Sequence, residues 1–151
     1  MTPLFAGSFD PFTIGHRSIV ERALLIFPKI IIAVGYNEHK PGEWTPGQRV
    51  KAIAGYYQDD DRVVVTSYSG LTADFARRAG AGVLLRSVRS VQDYEYERNL
   101  ADTNRQLFGI DTVILSSDPA LAFVSSSMVR ELIHNGFDAS EYIVGDFPPR
   151  L

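Results

Sequence analysis

Short β-rich runs alternate with amphipathic helical segments five times along the chain, and this alternation limits the possible folds more than any other feature. The predicted strands are residues 3–6, 29–35, 62–68, 82–88 and 111–117, with many isoleucines, valines and leucines. Such nearly continuous apolar strands are typical of a parallel sheet that is covered on both faces.

Apolar residues at helical spacing predict a helix after each of these strands. Residues 45–48 (TPGQ) predict the start of the second helix, because they form a capping-box arrangement with Pro46 at the first helical position. The third carries a stripe that includes Leu71. The fourth is predicted over residues 91–108, and one side of it consists of Tyr96, Leu100, Thr103 and Leu107.

A strand followed by a helix, repeated with short connections, predicts a doubly wound α/β fold. We expect a five-stranded parallel sheet with right-handed crossovers and helices on both faces. Residues 1–151 suffice for one core and show no linker or repeat, so a single domain is predicted. In such folds ligands bind beyond the C-terminal ends of the strands, where the strand order reverses.

Composition excludes several kinds of site before any motif is considered. The chain has no cysteine, which removes disulfides, zinc–thiolate centres and thiol nucleophiles. Its net charge of −3 gives no general attraction to nucleic acid, and no run reaches the roughly 18 apolar residues of a membrane span. Without a signal-peptide pattern either, we expect a cytoplasmic protein with no nucleic-acid or membrane partner.

The stretch GSFDPFTIGH, residues 7–16, leads from the first predicted strand into the first predicted helix. Gly7 and Gly15 allow the backbone to approach a ligand closely, and His16 lies in the first helical turn, where an anion is favoured. The stretch lacks the usual glycine-rich phosphate fingerprints. From this segment alone, a turn followed by a surface histidine is an equally good interpretation.

Three further segments follow predicted strands and carry groups that bind anions. They contain Lys40, the pair Arg86 and Arg89, and the three serines of residues 125–127 at a helix start. Taken singly, a solvated lysine, surface salt bridges and a helix cap explain them. Because all should lie at one edge of the sheet, together with His16 they favour one phosphate-rich ligand.

Four segments in sequence order resemble motifs of the bacterial phosphopantetheine adenylyltransferases. GSFDPFTIGH resembles their G-[ST]-F-D-P-x-T-x-G-H motif, with Thr13 where the wider nucleotidyltransferase superfamily has the first histidine of H-x-G-H. The other three are RSVRSVQDYEYE (residues 86–97), NRQL (104–107) and FVSSSMVRE (123–131). The resemblance covers nearly the whole chain and implies a Rossmann-like nucleotidyltransferase fold.

The resemblance also implies an activity, a cofactor and an assembly. The activity is transfer of the adenylyl group of ATP to 4′-phosphopantetheine, giving dephospho-coenzyme A and pyrophosphate, a step of coenzyme A biosynthesis. The cofactor is Mg²⁺, whose protein ligands remain unassigned, and the assembly is a homohexamer built as a dimer of trimers.

Residue roles follow from the same resemblance, motif by motif. The implied catalytic residues are His16, Lys40 and Arg89. The residues implied to bind ATP are Ser8, Phe9, His16, Ser87, Val88, Arg89, Glu97, Leu121, Ala122, Phe123, Val124, Ser125, Ser126 and Ser127. The residues implied to bind phosphopantetheine are Ser8, Lys40, Thr72 and Arg86.

The sequence departs from the family pattern at Ser8, where threonine is commoner, and at Ser87, where glycine is usual. Two alternatives stay open at this point. One is a nucleotidyltransferase with another acceptor, such as nicotinamide mononucleotide, or glycerol phosphate with CTP. The other is a non-catalytic nucleotide-binding module on the same fold.

Overall fold

A computed structural model describes residues 1–150 and contains one five-stranded sheet in which all neighbouring strands are parallel. The strands are β1 (Pro3–Gly7), β2 (Ile30–Gly35), β3 (Val63–Tyr68), β4 (Val83–Val88) and β5 (Asp111–Ser116). Their order across the sheet is β3-β2-β1-β4-β5. The predicted parallel sheet is confirmed, and its order reverses between β1 and β4.

Five helices connect or follow the strands, as the sequence predicts. They are α1 (Ile14–Ala23), α2 (Pro46–Tyr56), α3 (Thr72–Arg78), α4 (Val91–Phe108) and α5 (Ser126–His134). The predicted capping box at Thr45 is present, because its hydroxyl accepts from the Gln48 N–H and the Gln48 side chain accepts from the Thr45 N–H. Within residues 1–150, none of the helices is long and apolar enough to cross a membrane.

Two apolar clusters lie on opposite faces of the sheet. Neighbouring strand residues point to opposite sides, so Phe5 belongs to one cluster and Leu4 to the other. The first cluster takes Val20 from α1 and Ile53 from α2, whereas the second takes Ala76 from α3. Helices therefore cover both faces, and the doubly wound architecture is confirmed.

Helix α4 leaves most of its predicted apolar side exposed. Tyr96 and Leu107 are 62% and 70% exposed, and Leu100 is exposed as well. Tyr96 and Leu100 border a cavity beneath the helix, together with the half-buried Ala101 and Asn104. Part of the predicted apolar side thus borders a cavity rather than packed side chains.

The last part of the chain, residues 143–150, crosses the molecule as an extended segment that we call the C-terminal strap. It forms an antiparallel bridge between Ile143 and Thr13, and its Val144 N–H donates to the Phe12 carbonyl at 2.9 Å. Val144 and Phe147 are buried. The strap joins the core although no motif in the sequence predicts a role for it.

Candidate active site

The turn between β1 and α1 is organised around a buried phenylalanine. Phe9 is 2% exposed, has a φ of 48°, and its ring packs edge-on against Phe5 and Phe12. A Cβ on Gly7 would lie 3.1 Å from the Phe9 ring, so this glycine accommodates the ring. Any contact between Phe9 and a ligand in this arrangement would therefore come from its backbone.

His16 is fixed by the cap of α1. Its Nδ1 accepts a hydrogen bond from the Thr13 N–H at 3.0 Å, and the Thr13 hydroxyl accepts from the His16 N–H. The neutral ring therefore carries its hydrogen on Nε2. The ring lies at a polar cavity, which His16 lines.

The environment of His16 favours the neutral imidazole. Its pKa is lowered from 6.5 to about 4, chiefly because burial disfavours the charged ring, and further by the positive charges of Arg86 and Arg89. His16 thus acts as a neutral N–H donor in the ligand-free site, and the positive charge there comes from the arginines.

A polar cavity of about 330 Å³ lies where the residues following β1, β4 and β5 meet. Ser87, which stands in place of the family's usual glycine, lies in β4 with its side chain at the cavity wall. Eight of the residues predicted to bind ATP line this cavity: His16, Ser87, Arg89, Glu97, Leu121, Val124, Ser125 and Ser126.

The three serines at the start of α5 have separate structural partners. The Ser125 hydroxyl caps the helix by accepting from the Met128 N–H, and the Ser126 hydroxyl donates to the Pro11 carbonyl at 2.7 Å. Ser127 Oγ accepts from Arg130 at 3.3 Å. The Ser126 contact ties the start of α5 to the turn after β1, on the wall of the polar cavity.

Arg86 and Glu97 form a bidentate ion pair at the reversal point of the sheet. Arg86 Nε and one terminal nitrogen donate to the two Glu97 oxygens at 2.8 and 2.7 Å, and the other terminal nitrogen donates to the Ala6 carbonyl at 2.7 Å. Burial works against the charge of Arg86, but the hydrogen bonds and charge of Glu97 raise its pKa overall. The pair therefore stays ionised and links β4, α4 and the end of β1.

An apolar cavity of about 310 Å³ lies on the other side of this ion pair, between the sheet, α3 and α4. Thr72 and Arg86, both predicted to bind the acceptor, line it, as does Leu71. Thr112 lines it too, and its buried hydroxyl has no hydrogen-bond partner among residues 1–150. Tyr96 and Glu97 line both this cavity and the polar one, so the two spaces share a wall.

A third cavity, of about 370 Å³, contains Ser8 and Lys40, the two remaining residues predicted to bind the acceptor. We call it the lysine cavity. Tyr68 lines it and makes a 2.7 Å hydrogen bond to Thr72 in the apolar cavity. The four residues predicted for the acceptor thus lie in two adjoining spaces, with Tyr68 and Thr72 between them.

Five residues predicted to bind ATP line none of the three cavities. Phe9 and Val88 are buried, Phe123 is 61% exposed, and Ala122 and Ser127 flank residues that do line the polar cavity. Their predicted contacts with ATP remain predictions.

The sequence interpretation missed a buried ion pair between Asp10 and Arg49. Both are more than 90% buried, with Arg49 Nε 3.8 Å from Asp10 Oδ1. Arg49 also donates to the carbonyls of Ser8 and Gly35 at the ends of β1 and β2. Nothing in the apolar spacing of α2 signals a buried arginine, and no separate role was predicted for Asp10 within the stretch GSFDPFTIGH.

Arg130 is a second residue that sequence patterns did not single out. It donates from α5 to the Asp10 carbonyl at 2.7 Å, so it ties α5 to the turn after β1.

No group of three or more His, Asp or Glu side chains within residues 1–150 is arranged to hold a metal ion.

Comparison with known proteins gives both a family and close relatives. A family model described as cytidylyltransferase-like matches residues 4–132. The chain is 53% identical over 144 residues to a phosphopantetheine adenylyltransferase of Porphyromonas gingivalis, covering 95% of this chain and 94% of the relative. It is 45% identical over 140 residues to the protein of that name from Bacteroides fragilis, covering 93% of each chain.

Solved structures agree on the fold. A bifunctional NMN adenylyltransferase/ADP ribose pyrophosphatase from Francisella tularensis superposes with a TM-score of 0.71 at 19% identity. The match covers 94% of this chain but only 44% of that protein, so the chain spans less than half of it. At this identity the likeness bears on the fold alone.

Proposed function

The chain belongs to the phosphopantetheine adenylyltransferases, within the cytidylyltransferase-like nucleotidyltransferases, and from this we propose that it transfers the adenylyl group of ATP to 4′-phosphopantetheine. The products are dephospho-coenzyme A and pyrophosphate. The proposal therefore also assigns the protein to coenzyme A biosynthesis. The cytoplasmic location stays a prediction.

One observation carries the proposal: a polar cavity and an apolar cavity share a wall at the point where the strand order reverses. The polar cavity offers serine hydroxyls, Arg89 and the His16 donor, which suit a triphosphate. The apolar cavity suits the long arm of an acceptor such as phosphopantetheine. A site for two ligands with different chemistry is what group transfer requires.

We assign the acceptor's phosphate to the side where Ser8, Lys40 and Arg86 lie. Lys40 and Ser8 line the lysine cavity, and Arg86 retains two guanidinium N–H groups beyond its contacts with Glu97 and Ala6. The arm would then lie in the apolar cavity past Thr72.

In the proposed reaction an oxygen of the acceptor's phosphate attacks the α-phosphorus of ATP. A new phosphorus–oxygen bond forms as the bond to the bridging oxygen breaks, and that electron pair leaves with pyrophosphate. The phosphate is largely ionised near neutral pH, so no general base is needed. The Nε2–H of His16 and the charges of Arg89 and Lys40 would offset the negative charge that develops on the leaving group.

The side chains at the polar cavity fit a metal ion that enters the site bound to its nucleotide. Mg²⁺ in nucleotide sites commonly binds one or two carboxylates together with substrate phosphates. Asp93 and Asp118 are the aspartates at the wall of the polar cavity, and they would complete the coordination of a phosphate-bound ion. When bound, Mg²⁺ neutralises phosphate charge.

The direct test is turnover by the purified protein. With ATP, Mg²⁺ and 4′-phosphopantetheine, we expect release of pyrophosphate and formation of dephospho-coenzyme A. Nicotinamide mononucleotide, and glycerol phosphate with CTP, serve as competing acceptors in the same assay. Turnover with one of these and none with phosphopantetheine would replace the proposed acceptor, and no turnover with any of them would overturn the enzyme proposal.

A binding module on the same fold is separated from an enzyme by the variant His16→Ala. Because Nε2 is proposed to meet charge that develops during transfer, turnover should fall about 10²–10³-fold. The dissociation constant for ATP should change only a few-fold. Equal losses in ATP affinity and in turnover would favour the binding module.

Self-association as a homohexamer is part of the same proposal. The exposed apolar side chains of Leu107 and Val64, on α4 and on the edge strand β3, supply surface that an assembly would cover. Sedimentation at micromolar concentration should give about six times the chain mass of 16.8 kDa. A monomer under these conditions would contradict the hexamer.

A further inference from the structure

The C-terminal strap lines none of the three cavities, yet it packs against residues that hold two of the loops around them. At its start it bonds to Phe12 and Thr13, and Thr13 is the residue whose backbone N–H holds the His16 ring. Further along, the strap meets Trp44, which follows the loop that carries Lys40. The strap is therefore in contact with the support of the site rather than with its ligands.

Trp44 lies between the strap and the core and is 2% exposed. On the strap side, its indole N–H donates to the Pro148 carbonyl at 2.8 Å, and its ring meets Phe147 edge-on with centroids 5.2 Å apart. The Arg150 guanidinium stands 5.6 Å from the centre of the same ring. Three strap residues thus hold a single side chain.

On the inner side, the backbone beside the Trp44 ring is bound to the buried ion pair. The N–H groups of Glu43 and Trp44 both donate to the Asp10 carboxylate, at 2.8 and 2.9 Å. Arg49 Nε donates to the Trp44 carbonyl at 3.0 Å. This end of the loop is therefore fixed relative to Ser8 and the end of β1, which Arg49 also holds.

The connection from Trp44 to Lys40 is short and has little freedom. Only three residues intervene, of which Pro41 has a fixed φ. The backbone of Gly42 lies close to the buried ion pair of Asp10 and Arg49, since a Cβ on Gly42 would lie 2.6 Å from Asp10 Oδ2. A displacement of Trp44 would consequently be passed on to Lys40 in the lysine cavity.

We propose that the C-terminal strap positions Lys40 for the acceptor by holding Trp44 against Asp10, with Phe147 as the positioning residue. This inference rests on the proposed adenylyl transfer. The strap acts on the acceptor side of the site, because the loop it supports lines the lysine cavity and none of its residues lines the polar one.

The test compares Phe147→Ala with Phe137→Ala. Phe147 is 9% exposed and packs on Trp44, whereas Phe137 is 66% exposed and lies outside the strap, so the same atoms are removed at two places near the C-terminus. We expect Phe147→Ala to lower kcat/KM for 4′-phosphopantetheine about tenfold, because small displacements of positioning groups are costly. The dissociation constant for ATP should stay within about twofold, and Phe137→Ala should behave as the wild type.

Trp44 is the only tryptophan in the chain, so its fluorescence reports on the contact itself. Phe147→Ala should shift the emission to longer wavelength, as expected when the indole gains water, and Phe137→Ala should not. A kinetic loss without this shift would contradict a route through Trp44. Equal kinetics for the two variants, in a wild type that turns over, would also overturn the inference.

A double-mutant cycle tests whether the effect passes through Lys40. Lys40→Ala should reduce kcat/KM less in the Phe147→Ala background than in the wild type, because the lysine is already misplaced. Strict additivity would show that the strap acts by another route. If Phe147→Ala fails to unfold cooperatively, Trp44→Phe takes its place, since it keeps an aromatic ring near Phe147 while it removes the bond to Pro148 and shrinks the ring that the strap holds.

Failure of the proposed function would be recognised separately. A wild type without turnover refutes adenylyl transfer, while the fluorescence comparison still reports whether the strap holds Trp44. In that case the acceptor-side inference falls with the function. A wild type that turns over leaves the positioning role to be decided by the two phenylalanine variants.

Discussion

At the scale of single residues, the protonation of His16 links the site to the stability of the fold. The Thr13 N–H needs an unprotonated Nδ1, and burial beside two arginines penalises a charged ring. Both effects favour neutral imidazole in the folded protein. The residue that we propose as a donor in catalysis is therefore also a group whose protonation opposes folding.

We predict that His16→Asn makes the unfolding free energy less dependent on pH. With its pKa lowered to about 4, folded His16 stays neutral while the unfolded residue takes up a proton below about pH 6.5. Its stabilising contribution is thus present above pH 6.5 and is lost as the pH falls towards 4. The wild type should lose up to about 3 kcal/mol more than the variant across this range in urea unfolding.

The matched control for this prediction is His39→Asn. His39 is exposed, and its side chain makes no hydrogen bond within the described residues, so this variant should follow the wild type. Identical pH dependence in the wild type and His16→Asn would show that the folded protein does not exclude the charged ring.

A second residue-scale prediction concerns the ion pair that separates the two cavities. Glu97→Gln keeps the shape but removes the charge that pairs with Arg86, and Glu97 is 6% exposed. Because Arg86 is about one-third exposed, we expect a loss of about 1–3 kcal/mol in unfolding free energy rather than that of a fully buried pair. Since Glu97 lines both cavities, the KM values of ATP and acceptor should both rise.

Glu95→Gln provides the comparison on the same helix. Glu95 is exposed and forms no ion pair in the part of the chain that the structure describes, so its replacement should change stability by less than about 0.5 kcal/mol. A rise in only one KM in Glu97→Gln would contradict a shared wall between the two ligands.

At the scale of elements, we predict that Gly145→Ala loosens the C-terminal strap. Gly145 has a φ of +99°, and a Cβ there would lie 2.7 Å from the Ala52 carbonyl oxygen of α2. Strain and clash together should cost about 2–4 kcal/mol of unfolding free energy. Urea unfolding measures the loss, and the fluorescence of Trp44 should shift as in Phe147→Ala.

Gly109→Ala separates conformational strain from the clash. Gly109 ends α4 with a φ of +66° and has open space where a Cβ would be placed. Its replacement should cost about 1 kcal/mol, the usual penalty of the left-handed conformation. Equal costs at the two glycines would show that the contact between the strap and α2 contributes nothing.

Elements were predictable from the sequence where local signals and burial agree. Strands rich in isoleucine and valine, and the capping box before α2, were both read correctly because they depend on neighbouring residues. The exposure of the apolar side of α4 was not predictable, because apolar spacing predicts a packed face, whereas Tyr96 and Leu100 border a cavity. The packing of the strap was not predictable because its partners, such as Trp44, lie about 100 residues away in sequence.

Some residues of the candidate site were likewise predictable from the sequence, and others were not. His16, Arg89 and the serines before α5 were visible because each follows a strand that the sequence predicts, and they line one cavity. Arg49 was not visible, because the carbonyl oxygens that make its burial possible, those of Ser8 and Gly35, come together only in the folded sheet.

For the molecule as a whole, we predict that Mg²⁺ matters to turnover and not to the ligand-free fold. The described residues hold no cluster of metal-ligating side chains, so EDTA should leave the Tm of the ligand-free protein unchanged. With ATP present at about 100 times its Kd, binding should add about 2.7 kcal/mol of stability. EDTA should reverse most of this gain and abolish turnover, and a lower Tm without ATP would reveal a structural metal.

The neighbouring positions of β1 and β4 have a consequence for how the chain folds. Leu4 pairs with Leu84, so this contact closes a loop of roughly 80 residues, whereas β2 follows β1 within a much shorter span. Long-range closure is slow compared with local pairing. An early intermediate, or a chain still emerging from the ribosome before β4 is made, can pair its first three strands. It still lacks most residues that line the polar and apolar cavities, so binding of nucleotide should report the completed fold.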